Sequence, residues 1–287
     1  DSIAATDTIE VRTPGEEDGT VPLSTGEILD GEVDVATSVP ESTLGPQPTL
    51  TPVIIPGLGI EIPHLTDEEE IEIGRQASAE FEREYPLSTD YILIERVTLI
   101  GERIESFQPR SNISYTFKVV DTSEVNAYAI PGGFIYVTRG MMDYIESDDE
   151  LAGVIGHEIA HVALRHGAQQ IEAIAAGQAA LEVVVSGDPN LEMIYQDQSV
   201  QIATQIMALV AVNGWSRQAE LDADEYGTIY MAHADYNPQA IIGLFTRFAA
   251  EEGESADDML AALFAPHPPF DDRIARVEQA IHMHGLQ

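Results

Sequence analysis

Apolar residues recur every three or four positions over most of residues 66–284, a spacing that predicts amphipathic helices. The first helix begins after Thr66, because Glu69 three residues later completes a capping-box pattern and acidic residues crowd the first turn. The same spacing predicts further helices at 91–107, 149–167, about 168–185, about 198–213, 216–233, 238–250 and 270–284.

Two segments between the second and third predicted helices have the composition of strands. "SYTFKVVDTS" (114–123) and "NAYAIPGGFIYVTRG" (126–140) are rich in Tyr, Val, Phe and Ile, and Pro131-Gly132-Gly133 interrupts the second with a turn. Two helices, a small sheet and then many helices predict an α+β fold.

Residues 1–63 differ from the remainder in composition, which predicts an acidic, Pro/Thr-rich N-terminal extension followed by one domain at 64–287. The prolines oppose helix formation in the extension. Two stretches with alternating polarity, "TIEVR" (8–12) and "EVDVATSV" (32–39), are expected to form strands of an arm that lies on the domain.

The charge balance is strongly acidic, with 50 acidic and 13 basic residues and a formal net charge of −37. Such a surface repels nucleic acid and anionic membranes, so neither is an expected partner. Adaptation to high salt and ordinary acidity account for this composition equally well. The chain has no cysteine, which excludes disulfides and thiolate ligands. No apolar run approaches eighteen residues, so we expect no transmembrane segment.

The segment "HEIAHVALRH" (157–166) carries the first candidate chemistry. His157 and His161 are four residues apart and therefore share one face of a helix, where two imidazoles can bind one zinc ion with Glu158 as a base. The alternative is that both histidines only pack on an amphipathic helix. A catalytic zinc site needs a third protein ligand.

His166 is the nearest candidate for the third ligand, but its position is unsuitable. In the zincin class with three histidines, a glycine turns the chain toward the third one. Here Leu164 stands in the glycine position and Gly167 in the histidine position. We therefore expect His166 to continue along the helix beyond the metal, in a structural or solvent-facing place.

A second acidic segment, "WSRQAELDADEYG" (215–227), offers a carboxylate ligand instead. On a helix Glu220 and Asp224 share a face, whereas Asp222 points roughly opposite. One of the two would bind the metal and the other would orient a metal-bound imidazole. Glu220 as ligand is the natural assignment, and the spacing also permits the reverse. The alternative is a solvated acidic face.

Several segments, in this order, resemble the HtpX-type zinc metallopeptidases, gluzincins related to the CAAX prenyl endopeptidases and the mitochondrial overlapping-activity protease. The similarity covers about 64–287 and favours the soluble, bacterial-envelope branch. It rests on "EIGRQ" (72–76), "VNAYAIPGGFIYVTRGMM" (125–142), "ELAGVIGHEIAHVALRHG" (150–167), "SRQAELDADEYG" (216–227) and "HPPFDDRIARV" (267–277).

The resemblance implies a zincin-type, mostly helical domain in which one zinc ion is bound by two histidines and a glutamate. The implied zinc ligands are His157, His161 and Glu220, with Glu158 as the catalytic base. Asp224 is then the orienting acid that the helical spacing predicts.

It also implies that "NAYA", Asn126, Ala127, Tyr128 and Ala129, forms the edge strand along which an extended substrate lies. His267 either stabilises the oxyanion, acts as a reversible fourth ligand or only leads into a helix. Arg273 either assists the oxyanion or pairs with Asp224 or another acid of the site.

The expected activity is therefore zinc-dependent endoproteolysis of extended or unfolded polypeptides, in protein quality control of the cell envelope. The alternative is a latent, metal-gated chaperone or assembly factor with weak or no proteolysis. The chain starts at Asp1 without a signal sequence. We expect a mature or trimmed protein of the periplasm or another extracytoplasmic compartment, whose signal or lipid anchor is absent from this sequence.

Overall fold

The computed structural model describes residues 53–55, 60–62, 64–186, 215–252 and 269–286, and it confirms the α+β class. The strands are β1 Val53–Ile55, β2 Ile60–Ile62, β3 Thr116–Val120, β4 Ala127–Ile130 and β5 Phe134–Thr138. The helices are α1 Asp67–Glu84, α2 Tyr91–Glu105, α3 Arg139–Tyr144, α4 Asp148–Ala163, α5 His166–Ser186, α6 Arg217–His233, α7 Gln239–Glu252 and α8 Phe270–His284. The predicted strands at 8–12 and 32–39 and the predicted helix at 198–213 lie outside the described residues.

Short polar side chains set where several helices begin. The capping box predicted at α1 is confirmed, because Thr66 N–H donates to Glu69 Oε2 at 2.8 Å and Glu69 N–H donates to Thr66 Oγ1 at 3.2 Å. Ser147 and Ser216 also cap α4 and α6: the side chain of each accepts a hydrogen bond from a backbone N–H of the first turn. The two helices that carry the candidate site chemistry therefore have fixed starting points.

Three strands form a mixed sheet in the order β3-β5-β4, in which β3 is parallel and β4 antiparallel to β5. The turn from β4 to β5 requires glycine. Gly132 and Gly133 have φ angles of 81° and 100°, and a Cβ on Gly132 would lie 2.7 Å from the Cα of Ile71. β1 and β2 pair separately as an antiparallel two-stranded sheet.

The two faces of the mixed sheet belong to different hydrophobic cores. Ala129, Ile135 and Val137 point into the larger core, which includes apolar residues of α2, α4, α6, α7 and α8. Tyr128, Ile130 and Tyr136 point to the opposite face and pack with residues of α1 and α5. This alternation follows from the two-residue period of a strand.

The helix predicted at 149–167 is wrong at its C-terminal end. α4 ends at Ala163, and Arg165 adopts the left-handed conformation with φ 62°. A new helix, α5, begins at the next residue, so the chain turns without a glycine. The sequence also missed α3, which starts directly after β5, where Thr138 caps it by accepting a hydrogen bond from Met141 N–H.

α4 and α6 approach each other at backbone distance through a pair of glycines. A Cβ on Gly156 would lie 2.8 Å from the carbonyl oxygen of Gly227, and a Cβ on Gly227 would lie 2.7 Å from His157 N. Any side chain at either position would therefore push the helices apart. This contact brings together the segments 157–166 and 215–227, which carry the candidate metal ligands.

Candidate metal centre

α4 places its two histidines and the glutamate between them in the protein interior. His157, Glu158 and His161 are 8%, 8% and 2% exposed. The same helix buries Leu151, Ile155 and Ile159 in the large core, which fixes its rotation relative to the sheet. The polar side chains are therefore held by a rigid, fully packed helix.

α6 contributes two buried carboxylates to the same place. Glu220 and Asp224 are one helical turn apart, and both have no exposed surface. Asp222, which the sequence places on the opposite side, contacts Gln218 and Arg276 at the surface. The solvated acidic face considered as an alternative is therefore wrong for Glu220 and Asp224.

The donor atoms of His157, His161 and Glu220 lie within 4.8 Å of one another, close to the spacing that a metal ion requires. His157 Nε2 and His161 Nε2 are 3.0 Å apart, and they lie 3.6 and 3.7 Å from the nearer Glu220 oxygens. Tetrahedral bonds of about 2.0–2.2 Å would separate ligand atoms by about 3.3–3.6 Å. Among the described residues these three form the one group with metal-site geometry.

Asp224 holds His157 from the side opposite the metal position. Its Oδ1 lies 2.9 Å from His157 Nδ1, and the Arg273 guanidinium donates to both Asp224 oxygens at 2.6 and 2.8 Å. Burial alone lowers the pKa of His157, but the hydrogen bond and charge of Asp224 raise it above the ordinary value. The contact directs Nε2 of His157 toward Glu220, as an orienting carboxylate does.

Arg273 lies behind this carboxylate. It is 6% exposed, and its guanidinium stacks over the Phe245 ring at 4.3 Å and lies 3.6 Å from Glu220. The alternative expected from the sequence, pairing with Asp224, is what the structure contains. A contact of Arg273 with an oxyanion stays a prediction, and His267 lies outside the described residues.

Glu158 faces the sheet edge in an environment that favours its protonated form. Burial raises the pKa of its carboxyl to about 7, and the charge of Glu220 adds to this effect. His157, Arg273 and a hydrogen bond from the backbone N–H of Ala129 act in the opposite direction. A carboxyl that titrates near neutrality can both accept and return a proton.

β4 is the edge strand of the sheet and lies against α4. Thr138 N–H donates to the Asn126 carbonyl at 3.1 Å, so by antiparallel alternation Asn126, Tyr128 and Ile130 direct their main-chain groups to β5. Ala127 and Ala129 therefore direct theirs to the outer side of β4, where no described strand pairs with it.

The side chains of "NAYA" divide between two environments. Tyr128 is 5% exposed and its ring packs 5.3 Å from the Phe81 ring, on the sheet face away from α4. Asn126 Oδ1 accepts a hydrogen bond from Ala127 N–H at 2.9 Å. Of the four residues predicted to contact substrate, the open edge presents the main chain of two, Ala127 and Ala129.

His161 has partners that the sequence did not predict. Its ring stacks on Trp215 with 4.8 Å between centroids, and its Nδ1 lies 2.9 Å from His166 Nδ1. The expectation that His166 continues along the helix is wrong, because the turn at Arg165 directs it back to His161. Burial lowers the pKa of His161 well below its usual value, which keeps the imidazole neutral as a metal ligand requires.

The fold and the donor set together define a metallopeptidase. Two histidine donors and a neighbouring glutamate lie on α4, the third donor is a glutamate of α6, and the strand β4 lies beside them. The sequence model of peptidase family M48 matches residues 95–281, and the chain belongs to this family. The resemblance seen in the sequence motifs is thereby confirmed. Within the described residues, no helix is both long and apolar enough to cross a membrane.

Individual relatives are metallopeptidases of bacteria and mitochondria. The chain is 31% identical to metalloprotease YcaL of Escherichia coli over 166 residues, which cover 58% of this chain and 61% of that protein. It is 28% identical to the mitochondrial metalloendopeptidase OMA1 of Schizosaccharomyces pombe over 183 residues (64% and 51%). It is 25% identical to the beta-barrel assembly-enhancing protease of Escherichia coli over 175 residues (60% and 36%). The chain spans about half the length of the curated relatives it matches.

Proposed function

We propose that the protein is a zinc-dependent endopeptidase that cleaves extended or unfolded polypeptides. The convergence of His157 Nε2, His161 Nε2 and a Glu220 carboxylate at metal-ligand spacing carries this proposal. Zinc suits a neutral nitrogen and carboxylate donor set with three protein ligands. When bound, it supplies Lewis acidity, which acidifies water and polarises a carbonyl group.

Glu158 is the proposed general base. It adjoins His157 in the sequence and shares its buried environment, and a pKa of about 7 lets it take a proton from the attacking water and deliver it to the leaving amine. The Ala129 N–H fixes the direction of the carboxylate toward the sheet edge. Proton transfer by a positioned group of this kind contributes about 10²–10⁴-fold to rate.

The outer edge of β4 is the proposed binding surface for the substrate backbone. An extended peptide that adds to this edge would donate its backbone N–H groups to the carbonyl oxygens of Ala127 and Ala129, because the N–H groups of these residues already donate to Asn126 Oδ1 and to Glu158. Main-chain contacts of this kind depend only weakly on the side chains of the substrate. The opposite edge of the sheet is covered, because Ser88 N–H donates to the Val119 carbonyl at 2.8 Å. Within the described part of the mixed sheet, a substrate strand can therefore add at β4.

Glu158→Gln tests the catalytic proposal. We expect the variant to bind one zinc ion per chain, as the wild type does, and to cleave casein at least about 100-fold more slowly. Glu95→Gln, the same change at an exposed position of α2, should leave both properties unchanged. Cleavage by Glu158→Gln at the wild-type rate would refute the proposal. A zinc-loaded wild type that cleaves no substrate but suppresses aggregation would favour the latent chaperone instead.

N-methylated peptides test the edge-strand proposal separately. Methylation removes a backbone N–H of the substrate and leaves its side chains intact. We expect a rise in KM at alternate substrate positions, following the two-residue period of a strand, and little effect of exchanging side chains. A uniform response at successive positions would contradict binding along β4.

We further propose that the protein acts in protein quality control of the cell envelope. One observation supports this location: the chain is 25–26% identical, over at least 60% of its length, to relatives named beta-barrel assembly-enhancing protease. Fractionation of cells that produce the protein from its native gene tests it. Recovery in the cytoplasmic fraction would contradict the proposal.

A further inference from the structure

His166 touches the ligand side chain of His161 on the side away from the metal position. The two Nδ1 atoms are 2.9 Å apart, whereas His161 Nε2 points to His157 and Glu220. The two nitrogens of one imidazole point in diverging directions. His166 Nδ1, which faces His161 Nδ1, is therefore not placed to bind the ion that His161 Nε2 would bind.

The proton on His161 has a defined place when Nε2 binds a metal. A neutral imidazole that uses Nε2 as the ligand atom carries its hydrogen on Nδ1. That N–H points at His166 Nδ1, which must then accept the hydrogen bond and carry its own hydrogen on Nε2. The 2.9 Å separation is that of a normal hydrogen bond between nitrogen atoms.

We propose that His166 is a positioning residue for the metal ligand His161: its Nδ1 accepts a hydrogen bond that fixes the tautomer and the orientation of that imidazole. His166 thus serves His161 as Asp224 serves His157, with a neutral acceptor in place of a carboxylate. Trp215 covers the ring face at an interplanar angle of 25°, which restricts rotation in the remaining direction. The inference rests on the proposed metal site.

The backbone turn before His166 is built for this contact. Arg165 has a φ of 62°, a left-handed conformation that is unfavourable for a residue with a Cβ atom. Its buried side chain offsets the cost by donating to the Leu65 carbonyl at 2.6 Å and to Glu172 at 3.3 Å. These bonds hold the turn that starts α5 with His166 directed toward His161.

Two substitutions separate the acceptor role from simple packing. His166→Leu fills space but offers no acceptor, whereas His166→Asn places Oδ1 near the position of Nδ1. Zinc affinity is measured by competition with a chromophoric chelator, and the visible absorption of the Co²⁺ form reports ligand geometry. His282→Leu, at an exposed histidine of α8, is the matched control. Thermal unfolding of each metal-free variant checks the fold.

We expect His166→Leu to weaken zinc binding about 10–100-fold and to change the Co²⁺ spectrum, as loss of an outer-shell partner does. His166→Asn should remain within about threefold of the wild type, and His282→Leu should be unchanged. Equal zinc affinity of His166→Leu and wild type would overturn the inference, as would equal losses in the Leu and Asn variants. A wild type that binds no zinc would overturn the proposed function as well, so the two failures are distinguishable.

Discussion

Gly227→Ala changes one hydrogen atom to a methyl group, and we predict that it damages the proposed metal site, whose ligand Glu220 lies seven residues earlier in the chain. The new Cβ would lie 2.7 Å from His157 N and 2.8 Å from His157 Cα. Ordinary contact begins at 3.4 Å, so α4 and α6 must separate by about 0.7 Å. Both neighbours are backbone atoms of a helix, which cannot move aside independently.

The expected effects concern stability and metal affinity together. Overpacking of this kind costs about 1–3 kcal/mol of unfolding free energy, which exceeds the helix-propensity gain of about 1 kcal/mol from Gly to Ala. A shift of about 0.7 Å also exceeds the tolerance of about 0.2 Å for metal–ligand distances. We therefore expect zinc affinity to fall at least about tenfold, because Glu220 moves away from His157 and His161.

Calorimetry of the metal-free protein and chelator competition measure the two effects. Gly243→Ala on α7 is the matched control, because a Cβ there meets nothing within 4 Å. The free energy of unfolding of that variant should rise by about 0.4–1 kcal/mol, and its zinc affinity should equal that of the wild type. If Gly227→Ala melts no lower than the wild type and binds zinc equally well, the argument from helix separation is wrong.

Four further outcomes are expected. Asp224→Asn should weaken zinc binding about 10–100-fold in chelator competition, and affinity within twofold of wild type would contradict its orienting role. Zinc removal should lower the melting temperature reversibly, since free zinc at about 100 times its Kd stabilises by about 2.7 kcal/mol. Burial raises the pKa of Glu82, but hydrogen bonds from Lys118 and Tyr136 leave it below 4.5. Because the pKa of Glu82 is lower in the folded than in the unfolded protein, its ionised carboxylate stabilises the fold above about pH 4.5, and this stabilisation is lost as the pH falls below that value. Lys118→Met should therefore reduce the fall in melting temperature on acidification. If the acidic surface is an adaptation to salt, melting temperature should rise from low to molar salt, and a flat response would refute the adaptation.

The sequence predicted most elements because their signals are local. Apolar spacing and caps such as Thr66 lie within a few residues of the helix they begin, and the Pro-Gly-Gly turn lies within the hairpin it makes. The same applies to His157 and His161, whose relation depends only on helical periodicity. Glu220 was predicted as a ligand because its spacing to Asp224 places both on one helix face, and because the family resemblance implies it.

The missed features depend on contacts between distant segments. The turn at Arg165 has no glycine or proline to mark it, and it is held by Leu65, about a hundred residues earlier. Trp215 meets His161 only when α6 crosses α4, so neither residue signals the other locally. The pairing of His166 with His161 follows from that unmarked turn. Arginine is also common in the last turn of ordinary helices, so Arg165 itself did not distinguish a turn from a continuing helix.

The stacking of Trp215 on His161 also gives the protein a built-in optical probe. The chain contains one tryptophan, and its ring centre lies 4.8 Å from that of a metal ligand. All intrinsic tryptophan fluorescence therefore originates beside the proposed metal site. A paramagnetic ion such as Co²⁺ or Cu²⁺ at this site would quench the emission at contact range, whereas zinc would change it only by altering the ring's surroundings. Metal exchange at the proposed site can thus be followed in real time without attaching a label.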